Sequence, residues 1–117
     1  MDISKIENDL ISEIKLSEIQ AKIFLLLVTE GKSTPEKIGH KLDISSEESR
    51  KTAKQLVDLG SVIEVTENVF ESMHPRFTAV NMYRKMCERE KIDFKRNVIV
   101  DNIGVALEKS YEDARTK

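Results

Sequence analysis

Cysteine, proline and glycine are all scarce in this sequence, and each scarcity excludes a class of protein. The single cysteine, Cys87, has no partner for an internal disulfide, which favours a reducing, intracellular setting. Two prolines and four glycines in 117 residues leave no room for a flexible linker or a low-complexity tail. No internal repeat is visible. The longest apolar run, residues 23–28, is far too short to span a bilayer, and no signal peptide pattern opens the chain. A cytoplasmic protein without membrane attachment is therefore expected. A phosphate-binding glycine loop is missing too. So is any basic excess: 19 Lys and Arg face 21 Asp and Glu, a net charge of −2. A nucleic-acid partner would have to meet a local basic surface rather than bulk charge.

What remains is an apolar content of 39% and a charged content of 34%, the balance of a helical domain with well-solvated outer faces. The length suits one domain, or one domain plus an extra helix or two. The most informative stretch is residues 34–60, TPEKIGHKLDISSEESRKTAKQLVDLG. Thr34 suits an N-cap and Pro35 the first helical position. Ile38 and Leu42 give this short helix a narrow apolar side. Asp43 and Ile44 leave room only for a tight turn. Ser45 and Glu48 have the spacing of a capping box, Ala53, Leu56 and Leu59 continue the inward face, and Gly60 suits a helix C-cap. Helix, tight turn, capped helix and glycine stop read as a helix-turn-helix, a motif that presents its second helix to the DNA major groove.

The flanks complete the pattern. Ile3, Ile6, Leu10 and Ile14 recur at helical spacing. Ser17 and Gln20 form another capping box, with Leu16 placed to staple the first turn. The helix that follows is apolar on most sides, as a central core helix is. After Gly60, Val62, Ile63 and Val65 read as a strand, Glu67 and Asn68 as a turn, and Val69 and Phe70 as a returning strand. Residues 76–80 fit a returning strand, or Pro75 already begins a helix, which leaves residues 74–78 open between two readings. A helix is expected over residues 78–90 and another over residues 94–115. In the last, Val100, Ile103 and Leu107 follow a heptad-like spacing suited to a helical partner. Gly104 weakens it by roughly 1 kcal/mol unless close contact requires a glycine. The fold class is thus mainly α with a small β-hairpin: a winged helix-turn-helix plus terminal helices. The expected organisation is an N-terminal amphipathic helix at 1–15, the winged domain at 16–80 and a C-terminal helical dimerisation segment at 81–117.

Residues 16–80 resemble the winged-helix domain of the TrmB-like archaeal transcriptional regulators. The resemblance rests on LSEIQAKIFLLL, EKIGHKLDIS, KQLVDLGSVIEV and RFTAV. It implies a DNA-binding winged helix that works as a dimer. Many members continue into a larger effector-binding domain. Here only a helical tail follows, so sugar sensing is not carried over. The sequence departs from the family at Ser49, where an apolar residue is usual, at Ala53, where a larger one is, and at Arg50, often aromatic or small and polar.

The candidate DNA contacts are Ser45 and Ser46 at the helix N-terminus, Arg50, Lys51 and Lys54 on its outward side, and Asn68 and Arg76 on the wing. The competing reading is a solvated face with pairs such as Glu47–Lys51. Glu47 and Glu48 oppose phosphate, and favour a winged-helix module that binds another protein of the transcription machinery. The stripes Ile3, Ile6, Leu10 and Val100, Ile103, Leu107 lie outside the compact motif and are expected to hold a homodimer. Such a dimer would set two recognition helices roughly 34 Å apart. The alternative is that the first and last helices cover each other within one chain. His40 and His74 lack ligand spacing, so neither metal nor cofactor is expected. No nucleophile or pocket accompanies the acidic pairs Glu47–Glu48 and Glu112–Asp113, so no enzyme is expected either.

Overall fold

The computed structural model describes residues 2–116. They form α1 Ile3–Ile14, α2 Glu18–Glu30, α3 Pro35–Leu42, α4 Ser46–Asp58, β1 Val62–Thr66, β2 Val69–Ser72, α5 Pro75–Glu90 and α6 Val98–Arg115. The protein is mainly helical with a two-stranded antiparallel hairpin, an order compatible with a winged helix. None of the described helices is long and apolar enough to cross a membrane.

α2 lies at the centre because it has little polar surface to give to water. Ala21, Ile23, Phe24, Leu27 and Val28 are fully buried, and α1, α3, α4, α6 and β2 all pack against it. Its start is set by the expected capping box: Ser17 Oγ accepts the Gln20 N–H at 3.1 Å, and Gln20 Oε1 accepts the Ser17 N–H at 3.0 Å. At α4 only half of such a box forms, with Ser45 Oγ accepting the Glu48 N–H at 3.0 Å. The end of α4 is a Schellman turn. The Ser61 N–H donates to Leu56 O and the Gly60 N–H to Val57 O, while Gly60 adopts φ +79°, which a glycine takes without strain.

The turn between α3 and α4 is held by close backbone approach. A Cβ at Gly39 would lie 2.5 Å from Ile44 O and 3.2 Å from Ser49 Oγ. Ser49 and Ala53, small residues on the inward side of α4, are fully buried. The small Ser49 side chain lies beside Gly39 of α3, whose missing Cβ leaves room for it. Ser49 keeps its hydroxyl satisfied by donating to Ser45 O at 2.9 Å.

The hairpin pairs Val62 with Ser72 and Thr66 with Val69, with an irregularity between Glu64 and Thr66. Ser33 adds an antiparallel bridge to Phe70, with both N–H···O distances 2.9 Å. β2 ends at Ser72, and His74 caps α5, whose first residue is Pro75. The proline's fixed φ and missing N–H suit that position, which settles the two readings of residues 74–78 in favour of the helix. The last helix starts four residues later than expected, because Asn97 Oδ1 accepts the Ile99 and Val100 N–H groups. The division drawn at residues 80 and 81 falls inside α5.

The terminal stripes need correction. Ile6, Leu10, Val100, Ile103 and Leu107 were expected to be an exposed seam between two chains, but all are at most 5% exposed within one chain. Only Ile3 of that set stays open, at 39%. The reason is geometric. α6 runs across α1, α2 and α5 and covers the side of α2 that the helix-turn-helix leaves bare. Gly104 permits this, since a Cβ there would lie 2.9 Å from Arg76 Cα. Arg115 fastens the far end by donating to Ser72 O at 2.7 Å, and its guanidinium lies over the Tyr111 ring. Leu107→Asp should therefore destabilise the chain itself, by on the order of 4 kcal/mol, because it buries an unpaired charge. Urea unfolding checks this. A stable, folded variant changed only in association state would restore the exposed-seam reading.

Candidate nucleic-acid interface

α4 turns Ser49, Thr52, Ala53 and Leu56 inward at steps of three and four residues. That spacing forces Ser46, Glu47, Arg50, Lys51 and Lys54 outward, and all of them are exposed. Ser45 is exposed as well, but its hydroxyl oxygen is already engaged as the cap of α4. Lys51 has no ion-pair or hydrogen-bond partner among the described residues, and the Glu47–Lys51 pair of the competing solvated-face reading does not form.

The fold joins this face to the hairpin. Arg50 Nε donates to Asn68 Oδ1 at 3.0 Å. Lys54 Nζ lies 3.6 Å from Glu64 Oε1. Asn68 sits at the hairpin tip with φ +59°, a conformation that asparagine tolerates better than most residues. Its N–H donates to Glu64 Oε2 at 2.8 Å. Three of the seven expected contact residues, Arg50, Lys54 and Asn68, thus belong to one polar network, which Glu64 completes. Glu64 was missed. Its position in a strand gave no sign of a partner on α4, whose Lys54 lies ten residues away.

Arg76 requires correction. It was expected on the wing, but it lies in the first turn of α5, where its Nη1 is 3.6 Å from Glu108 Oε2 of α6. The chain enters a helix at Pro75 instead of continuing the strand, and this carries Arg76 out of the hairpin.

Beside it, His74, Glu108 and Glu112 bring one possible ligand atom each within 4.8 Å of one another. The ring chemistry argues for a polar cluster rather than a metal site. His74 Nδ1 accepts the Arg76 N–H at 3.2 Å, so a neutral ring carries its proton on Nε2. That proton-bearing nitrogen lies 3.5 Å from Glu108 Oε2, and Arg76 already supplies a cation.

Comparison with family models, with characterised proteins and with solved structures returns no match.

The Glu64 carboxyl is held below its ordinary value of 4.5 chiefly by the Asn68 N–H. Partial desolvation opposes this, while Lys54 and Arg50 add to it. A depressed folded-state value means that the contact is complete above the ordinary glutamate range and is lost as pH falls through the lower folded value. The Asn68 amide resonance should therefore move with a midpoint below about pH 4.5, the ordinary glutamate value. Movement centred at or above that pH would show that the N–H is not bound to the carboxylate.

Proposed function

We propose that this protein is a winged-helix transcriptional regulator that binds duplex DNA as a homodimer, with α4 as recognition helix and the hairpin as wing. The Arg50–Asn68 bond carries the reading, because it aligns the hairpin tip with the outward face of α4 so that both can meet one partner. The residue types suit phosphate and base edges: a serine at the helix N-terminus, then arginine and two lysines on a single face. The resemblance to TrmB-like regulators points the same way.

Lys51 is the cleanest test, since no partner within the protein competes for it. Lys51→Ala should weaken binding to duplex DNA about equally across sequences and lower the salt slope by about 0.9, the loss of one phosphate contact. Anisotropy titrations at two salt concentrations measure both. An unchanged affinity and slope would favour the second reading, a module that binds another protein. That reading is supported by Glu47 and Glu48, which stand exposed in the first turn of α4 and repel phosphate.

A dimer would have to use residues other than the buried stripes. Phe77, Val98 and Val105, on α5 and α6, are 71%, 61% and 54% exposed, an apolar set suited to pairing. Sedimentation equilibrium should give a dimer for the wild type and a folded monomer for Val98→Asp, Val105→Asp. A wild type monomeric at micromolar concentration would contradict the dimer.

A further inference from the structure

We propose that Glu64 occupies, in the free protein, a binding site for a backbone phosphate of DNA, built from Lys54, Arg50 and the Asn68 N–H. This rests on the DNA-binding reading and makes it specific to one site. Both carboxylate oxygens are engaged as phosphate oxygens would be. Oε2 takes the backbone N–H at 2.8 Å, and Oε1 faces the lysine ammonium at 3.6 Å. Arg50 is tied to the same asparagine through its side chain, which brings a second positive charge beside the anion. A backbone N–H, a lysine and an arginine are the donors that meet phosphates at protein–DNA interfaces.

The occupancy is exchangeable. The Lys54 and Glu64 side chains are 48% and 30% exposed, and an open ion pair at 3.6 Å is weak. No side chain caps the site from outside among the described contacts of these four residues. A phosphate carries its charge over more oxygens than a carboxylate and can engage the lysine and the N–H together without a strand's restraint. Glu64, once displaced, remains near the DNA and repels it. Glu64 therefore holds affinity down and spares Lys54 from meeting other anions, so that the site opens only to a polyanion strong enough to displace it.

Glu64→Gln tests this, because the amide oxygen still accepts the Asn68 N–H while the charge is gone. The full chain is titrated by anisotropy against random duplex DNA at about 50 and about 200 mM salt. The expected result is binding roughly threefold tighter at the lower salt, with a slope steeper by about one, and no such gain in a Lys54→Gln background. If the wild type binds and Glu64→Gln binds no better, the inference fails while the DNA reading stands. An equal gain in the Lys54→Gln background would show general relief of repulsion and also overturn it. If neither protein binds DNA in a salt-dependent way, the DNA reading fails and takes the inference with it. Circular dichroism checks folding. Should Glu64→Gln melt early, Glu64→Thr, suited to a strand, replaces it with the same outcomes.

Discussion

Ile23, Phe24, Leu27 and Val28 leave α2 almost no face for water, and the rest of the chain is arranged to cover it. A helix apolar around most of its circumference is stable in water only when enclosed. α3 and α4 with the hairpin enclose one side, and α1 and α6 the other. This explains why the terminal helices are integral to the protein rather than attached to it. Val100, Ile103 and Leu107 form the kind of seam a partner helix fits, and the partners are α1, α2 and α5 of the same chain.

Enclosure also leaves one face of α4 open. Its small residues Ser49 and Ala53 are buried, and Gly39 lets the preceding turn approach closely. With one face so firmly packed, its opposite face is left to solvent and to the hairpin. The bulge between Glu64 and Thr66 increases the local twist of the hairpin. At its tip, Asn68 meets Arg50. The resulting surface contains both signs of charge.

Local features were legible in the sequence, and long-range pairings were not. Ser17 with Gln20, Thr34 with Pro35, and Gly60 each act within a few residues, so spacing alone exposes them. The outward set Arg50, Lys51 and Lys54 follows from helical periodicity once Leu56 points inward. The seam at Val100 shows that a helix is wanted but not whether it belongs to the same chain. Arg50 and Asn68 stand eighteen residues apart, and His74 and Glu108 thirty-four, so only the fold brings them together. The role of Pro75 was ambiguous because proline suits both a strand edge and a helix start.

The central claim is that α4 and the hairpin tip form a single surface for duplex DNA. Amide chemical-shift mapping of the labelled protein with a short duplex tests it most directly. The account predicts that the amides of Ser46, Arg50, Lys51, Lys54, Glu64 and Asn68 shift together with one apparent affinity, while those around Val105 do not follow that binding curve. Shifts confined to α5 and α6, or none at low salt, would contradict it.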